Sequence, residues 1–307
     1  MCYDTIVIGG GMGGLQAAIQ LGRSLHRVLV IDRQTGRSAI AKNYRNILGF
    51  PDGVSGPELR ERGREQARRV GAEVVNGEVT ALVRVSEEQF VATLRDSRQF
   101  QARTILLATG MTDALPQIPG LLECLGESVF ICPDCDGYEV HQRPTLVIGS
   151  GEALLHMAER LRHYTQEQTL LVHALQEPAP DLRAKLAQSG FPWRWACVRR
   201  IKQCGGQLQA VVLASGERLP AQTAFLAFPG SRVNNELARS LDIAMLPNGH
   251  LLVDPRTKET SCRNVWAVGD LVAHSQMAAI AMGDGAQAAI WIAKRLHEKQ
   301  SVTAAFD

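Results

Sequence analysis

Thr5-Ile6-Val7-Ile8-Gly9-Gly10-Gly11-Met12-Gly13-Gly14-Leu15 is the stretch that decides the fold. A short apolar run ends in glycines and passes at once into the helical spacing of Leu15 to Leu25, after which Arg27-Val28-Leu29-Val30-Ile31 supplies a second buried strand ending at Asp32. This is a β-α-β opening in which Gly9, Gly11 and Gly14 have dinucleotide-binding spacing, Gly13 lies in the same turn, and an acid follows about 20 residues on. The glycines let the backbone turn tightly and approach a pyrophosphate. The helix N-terminus offers free N–H groups and partial positive charge, and the acid accepts from ribose hydroxyls. A glycine-rich turn without a ligand is the competing reading, and the concurrence of strand, helix, strand and acid argues against it.

Working outward, residues 36–57 are rich in Gly, Asn and Pro and read as a long surface loop. Gly56 to Gly71 reads as a solvated helix whose arginines form a wet face. Alternating strands follow from Ala72 to Leu107 and run into Ala108-Thr109-Gly110, where small residues let backbone pack against a ligand. Pro116, Pro119 and Gly120 mark a linker. A second unit of the same type then begins at Thr145-Leu146-Val147-Ile148 and continues through Gly149-Ser150-Gly151-Glu152-Ala153-Leu154. Its fingerprint is damaged: Leu154 stands at the third small position, where it is expected to crowd helix against strand, and the next strand ends in His173-Ala174-Leu175, with neither an acid nor an arginine pair. Gly230 to Asp242 reads as a return linker. Asn264-Val265-Trp266-Ala267-Val268-Gly269-Asp270 is a strand ending in an acid, followed by an amphipathic helix from about Gln276 to His297. Asp270 reads either as an acid along a bound flavin or as a structural turn acid.

The bulk properties narrow the class. A chain of 307 residues suits two domains, and 45% hydrophobic with 21% charged residues is a globular composition. A net charge of +2 gives no reason to expect nucleic acid. No apolar run reaches the roughly 20 residues that a membrane helix needs. The first strand begins by Asp4, which leaves no room for a leader, so a cytoplasmic location is the expectation. The seven cysteines are scattered apart from Cys132-Pro133-Asp134-Cys135-Asp136-Gly137, and the others read as mostly buried small apolar residues. Cys132 and Cys135 can form a disulfide, a zinc half-site or a redox switch. Zinc needs four ligands, and no second pair or suitably spaced histidine follows, so no metal is expected. His141, near the pair, is a candidate accessory base. Trp193 and Trp195 alternate on a strand, which places them on opposite faces.

Taken in order, Gly9 to Gly14, Ala108-Thr109-Gly110, Cys132 to Gly137, and Val268-Gly269-Asp270 with Gln276-Met277-Ala278 resemble low-molecular-weight thioredoxin reductase and its relatives over nearly the whole chain. The resemblance implies an α/β fold of two Rossmann-like, three-layer domains with the second inserted into the first. The FAD domain would span 1–112 and 242–307, and a degenerate NAD(P)H-type domain carrying the cysteines would span 113–241. It implies a homodimer. It also implies that Gly9, Gly11, Gly13, Gly14 and Asp32 hold the adenosine diphosphate half of FAD, with Val79 a backbone contact to adenine. Thr109 and Gly110 would line the cofactor site and Asn46 would lie near the flavin. Gly269, Asp270, Gln276, Met277 and Ala278 would lie along the ribityl chain and ring. Cys135 would face the flavin, Cys132 would exchange with substrate, and Asp136 would be the acid/base.

The departures in the second glycine turn are similar to those of the branch that has lost its pyridine nucleotide site, so use of NADPH is not expected. That branch holds ferredoxin- or flavin-dependent thioredoxin reductases, dithiol oxidases, and diflavin forms with a second FAD in the vacated site. The substrate would be a thioredoxin-like protein or a small dithiol or disulfide, with ferredoxin or another flavin as candidate donor. The oxidase-like sequences usually carry histidine after the second cysteine, where this chain has Asp136. The alternatives are an NADPH-dependent thioredoxin reductase with a degenerate motif, or a flavin redox sensor without turnover.

Overall fold

A computed structural model of the chain describes residues 2–303. Met1 and residues 304–307, which belong to the expected first domain, lie outside the described residues. In chain order, β1 (Cys2–Ile8), α1 (Met12–Arg23) and β2 (Val28–Asp32) lead to α2 (Arg37–Ile40), α3 (Gly56–Arg69), β3 (Glu73–Asn76), β4 (Val79–Ser86), β5 (Gln89–Leu94), β6 (Gln99–Leu107) and β7 (Met111–Thr112). Next come α4 (Leu121–Cys124), β8 (Val129–Phe130), α5 (Pro133–Asp136), a 3-10 turn at Gly137–Val140, β9 (Thr145–Gly149), α6 (Glu152–Leu161), β10 (Gln168–Val172), α7 (Pro180–Gln188) and β11 (Trp193–Trp195). The strands β12 (Val198–Cys204), β13 (Gln207–Leu213), β14 (Arg218–Pro220) and β15 (Thr223–Ala227) follow. The chain ends with β16 (Arg232–Val233), α8 (Glu236–Arg239), β17 (Val265–Ala267), a 3-10 turn at Gly269–Leu271 and α9 (Ala278–Thr303). The fold is α/β with parallel and mixed sheets of the Rossmann type, as the sequence leads one to expect.

The chain divides into two compact units. The first takes the chain up to Ile40, Ser55–Thr112 and the chain from Arg232 onward, and the second takes Ala41–Val54 and Asp113–Ser231. In the first unit a seven-stranded sheet runs β3-β2-β1-β6-β5-β4, with β17 also paired to β6. Its central strands are buried on both faces, and side chains alternate between two cores. Ile6, Ile8, Leu29 and Ile31 pack on one side, while Val7, Val28 and Val30 pack on the other with α1 and α9. Each such buried aliphatic side chain contributes about 1.5–3 kcal/mol. That explains why continuous apolar runs, rather than polar–apolar alternation, specify these strands.

The second unit repeats the plan with a five-stranded parallel sheet, β11-β10-β9-β15-β8, and an antiparallel sheet, β12-β13-β14. Leu146 and Ile148 face one core and Val147 the other. Leu154 does not crowd α6 against its strand: it is fully buried and fills the core beside Phe130, Val147 and Phe225. Residues 41–54, expected in the first domain, pack with the second unit because Lys42 Nζ donates to the Glu123 carbonyl (2.5 Å) and Arg45 Nη1 to that of Gly126 (3.3 Å). The return to the first unit comes at Arg232 rather than at 242, because β16 pairs antiparallel with β7. The segment read as a return linker therefore contains β16 and α8. Trp193 is partly buried against the core, whereas Trp195 is exposed and donates from Nε1 to the Ala174 carbonyl (3.0 Å). Cys2 and Cys204 are exposed, unlike the buried Cys124 and Cys262.

The close approach of α1 to β1 depends on Gly14, where an added Cβ would lie 1.9 Å from the Gly9 carbonyl oxygen. Backbone on both sides of this contact leaves no side chain to yield. Gly14→Ala is therefore expected to cost about 1–3 kcal/mol, read as a lowered thermal midpoint and a lower denaturant midpoint at unchanged slope.

Candidate functional site

The first candidate site is the turn between β1 and α1. Gly9 adopts φ +113°, and a Cβ there would meet the Ala108 carbonyl oxygen at 2.2 Å. Over Gly11, by contrast, the nearest atom to an added Cβ is Ser38 Oγ at 3.7 Å. Helix α1 starts with no side-chain cap and no acid in its first turn. Uncapped N–H groups facing open space are what a diphosphate requires, so these residues fit that portion of FAD. Gly13 points elsewhere: its added Cβ would lie 2.9 Å from the Ala281 carbonyl oxygen, so its smallness serves the packing of α1 on α9.

Asp32, at the end of β2, is buried and engaged. Its Oδ2 accepts from Arg60 Nη2 (2.5 Å) and Arg64 Nη2 (3.3 Å), and its Oδ1 accepts from the Gln34 amide (3.2 Å). Oδ1 retains capacity for a further donor such as a ribose hydroxyl. Arg60 also donates from Nε to the Gly10 carbonyl (3.3 Å) and is only 4% exposed, so the arginines of α3 are not simply a solvated face. Ser55 caps this helix by accepting from the Glu58 amide (3.2 Å), which fixes the turn that carries Arg60.

Around the second acid, Arg37 Nη1 donates to Asp270 Oδ2 (2.9 Å) and to Gln276 Oε1 (2.6 Å), bringing two of the expected site residues together. Met277 accepts through its carbonyl from the Ala281 amide (2.9 Å), so it and Ala278 form the entry of α9. Gly269, at φ +70°, donates its amide to Asp284 Oδ2 (3.1 Å). Asp284 also binds His274 Nε2 (2.5 Å) and, through Oδ1, Lys258 Nζ (2.9 Å). Burial pushes the Asp284 carboxyl up, but His274 and Lys258 more than offset this and hold it below its ordinary value. The same contact with Asp284 raises the His274 imidazole. Sequence reasoning missed this trio, because its members lie on separate segments and match no motif.

Thr109 and Gly110 are tied to Asn234. Thr109 Oγ1 donates to the Asn234 carbonyl (2.6 Å), Asn234 Nδ2 donates to the Thr109 carbonyl (2.9 Å), and the Asn234 amide donates to the Gly110 carbonyl (3.0 Å). Val79 opens β4 opposite Leu94. Asn46 is exposed and belongs to the second unit rather than to the unit of the glycine turn.

The second unit holds the cysteines. Cys132 and Cys135 form a disulfide at the start of α5, and Cys132 Sγ accepts from the Cys135 amide (3.2 Å). Pro133 is buried at the first helical position and Asp134 pairs with Arg160 (2.5 Å) on the exposed side. The Tyr164 ring lies against Gly137, where a Cβ would approach it to 2.4 Å, and this closes one side of the turn. Asp136 is partly buried there. Burial pushes its carboxyl up to about 7, with Glu139 adding to the rise and Arg45 opposing it. His141 stacks on the exposed Tyr138 ring (centroids 6.1 Å apart). Among the described residues, no group of three or more His, Cys, Asp or Glu is arranged to hold a metal ion.

The glycine turn of this unit ends differently from the first. The His173 amide donates to the Gly149 carbonyl (2.7 Å), and its Nδ1 accepts from the Val198 amide (3.0 Å). Burial lowers the His173 imidazole, so at the end of β10 stands a neutral ring occupied with backbone, in place of a carboxylate or a cation.

A nucleotide-type turn in one unit and a cysteine pair beside a poised carboxyl in the other are the parts of a flavin-linked dithiol enzyme. The sequence matches the pyridine nucleotide-disulphide oxidoreductase family over residues 3–285, and the chain belongs to that family. It is 30% identical to the bifunctional thioredoxin reductase/thioredoxin of Mycobacterium leprae, over 98% of this chain and 68% of that protein. It is 28% identical to the thioredoxin reductase of Mycolicibacterium smegmatis, over 95% and 97%. Among solved structures it is similar to HlmI (31% identity, TM-score 0.85, covering 99% of this chain and 95% of that one). It is also similar to the putative thioredoxin reductase TrxB from Bacillus anthracis (27% identity, TM-score 0.81, covering 96% and 99%). The chain is a thioredoxin reductase-like flavoprotein disulfide oxidoreductase of an FAD-binding family. Among the described residues no helix is long and apolar enough to cross a membrane.

Two outcomes follow from the first unit. Arg60→Met strands a buried carboxylate and is expected to cost about 3 kcal/mol, with the double change Arg60→Met/Asp32→Asn recovering more than half in a denaturation cycle. The His274 imidazole is raised above 6.5 by its partner, so its contribution to stability is complete below that pH and is lost as pH rises through the native value. A thermal midpoint followed against pH should fall across that window in the parent and lie flat in His274→Asn.

Proposed function

We propose that the chain is an FAD-dependent thiol–disulfide oxidoreductase whose redox centre is Cys132–Cys135, with Asp136 as acid/base, and that it works without NADPH. The observation that carries the reading is the Asp136 carboxyl, one residue from the disulfide and pushed up to about 7, where it can give or take a proton at neutral pH. Independence from NADPH rests on His173, which stands neutral and backbone-bound where a nicotinamide site needs a group for the ribose or its 2′-phosphate.

In this reading Gly9, Gly11, Gly14 and Asp32 hold the adenosine diphosphate half of FAD, Val79 borders the adenine, and Thr109, Gly110, Gly269, Asp270 and Gln276 to Ala278 line the remainder. The domain roles divide accordingly, with the glycine turn in a flavin domain and the cysteines in the inserted one. Bound FAD supplies or accepts the electron pair. In the reducing direction the Cys132–Cys135 disulfide takes up two electrons and two protons, one of the protons from Asp136. The Cys132 thiolate then attacks a sulfur of the substrate disulfide, whose S–S bond breaks and whose leaving sulfur is protonated. Cys135 attacks the mixed disulfide, restores the Cys132–Cys135 bond and releases the second thiol. The opposite direction runs the same steps backwards from a substrate dithiol. The substrate is a thioredoxin-like protein or a small dithiol or disulfide, the donor in the reducing direction is ferredoxin or another flavin, and the working form is a homodimer in the cytoplasm.

The relatives favour a second reading. Several are named thioredoxin reductases, and one from Arabidopsis thaliana, 27% identical over 94% of this chain, is named NADPH-dependent. Anaerobic mixing of the purified flavoprotein with NADPH separates the two. The absorbance of the flavin is expected to stay unchanged, and bleaching within seconds would establish the NADPH-using enzyme instead. Cys132→Ser and Cys135→Ser should each abolish steady thiol–disulfide turnover, and Asp136→Asn should lower it about 10²-fold or more. Turnover that survives in either cysteine variant would remove the pair from the mechanism.

A further inference from the structure

The loop that packs with the cysteines from outside their own helix carries a charge that no motif marks. Arg45 lies in segment 41–54, and its guanidinium spreads over three partners of the second unit. Nη1 donates to the Gly126 carbonyl (3.3 Å), Nη2 pairs with Glu127 Oε2 (3.5 Å) and Nε lies 3.6 Å from Glu139 Oε2. Arg45, Glu127 and Glu139 are each less than one-third exposed at their side chains, so their charges are partly shielded from water. Glu139 lies in the 3-10 turn that continues α5, three residues beyond Asp136. We propose that Arg45 and Glu139 are positioning residues, an opposed charge pair that brackets the Asp136 carboxyl and sets the pH at which the cysteine pair exchanges.

The surroundings leave these two as the charges that act on Asp136. On α5 itself, Asp134 is turned to the exposed side and neutralised by Arg160 of α6. From the segment after α6, the Tyr164 ring presents an apolar face to Gly137. The ring pair of Tyr138 and His141 stacks on itself at the exposed side of the 3-10 turn. Glu127 faces Arg45 and moderates it. The effects on Asp136 have opposite signs: the cation favours its carboxylate and the Glu139 anion disfavours it. A merely structural pair would, when broken from either side, loosen the same loop and change the chemistry in the same direction.

The inference rests on the proposed role of Asp136, and the experiment separates the two. Holoenzyme reduced with dithiothreitol and desalted anaerobically is mixed with 5,5′-dithiobis(2-nitrobenzoate), and the rate of the first exchange is followed against pH. One probe disulfide becomes two aromatic thiols while Cys132 and Cys135 become a disulfide, so electrons balance within the pair of reactants. Double substitution of Cys2 and Cys204 by Ser removes the exposed background thiols. The parent is expected to show an inflection near 7 that is absent in Asp136→Asn. Arg45→Gln should move the inflection up by roughly half to one pH unit, Glu139→Gln should move it down, and Arg45→Lys should restore the parent profile. If Asp136→Asn keeps the parent inflection, the acid/base reading itself fails. If Asp136→Asn loses it while Arg45→Gln and Glu139→Gln leave it in place or move it in the same direction, the charge-pair inference fails and the proposed function stands. Flavin content and thermal midpoint of each variant identify any that have not folded.

Discussion

A buried carboxylate is the constraint on which the first unit's site depends. Placing Asp32 at the end of β2 beneath the glycine turn costs several kcal/mol of lost hydration unless partners are supplied. The chain supplies them from α3, which begins more than twenty residues later, through Arg60 and Arg64. Since Arg60 also holds the Gly10 carbonyl, the helix, the strand end and the glycine turn are ordered together. The long intervening stretch need not be regular for this to work; it has only to let α3 start at a defined place, which Ser55 and Pro57 ensure. A pocket for a dinucleotide is thereby preorganised by an ion pair rather than by the glycines alone.

The two units share one plan and spend it differently. In the first, the space over Gly11 is open and α1 begins without a cap. In the second, the corresponding helix commits Leu154 to the core and the strand end commits His173 to backbone. Burying Leu154 strengthens the sheet–helix contact, and tying His173 to the Val198 amide anchors β12 beside the parallel sheet. Features that read as losses of a binding site act as gains in packing, and the unit then serves as a rigid mount for the cysteine turn.

What was legible in the sequence follows from the range of the interactions involved. The β-α-β turns, the buried central strands and the cysteine pair are local patterns, set by apolar runs and glycine spacing, and they could be read directly. The burial of Arg60 could not. It sits among evenly spaced charges on a helix of low mean hydropathy, and its partner lies 28 residues away in sequence. The Asp284, His274 and Lys258 trio and the clasp of Asn234 on Thr109 were likewise hidden, because each joins segments with no common periodicity. Leu154 was misread as crowding because the room available to a side chain depends on backbone placement that spacing does not report. The placement of residues 41–54 with the second unit depends on single contacts from Lys42 and Arg45, which a composition rich in Gly, Asn and Pro does not announce.

The carboxyl of Asp136 has a consequence beyond proton delivery. A group that is half ionised near neutrality changes its charge when a thiolate appears beside it, since the new anion draws a proton onto the acid. The number of protons taken up with each electron pair then differs on the two sides of neutrality. The tendency of the cysteine couple to accept electrons thus becomes a function of ambient acidity, and the pH of the surroundings acts as an input to the balance between this protein and its redox partners.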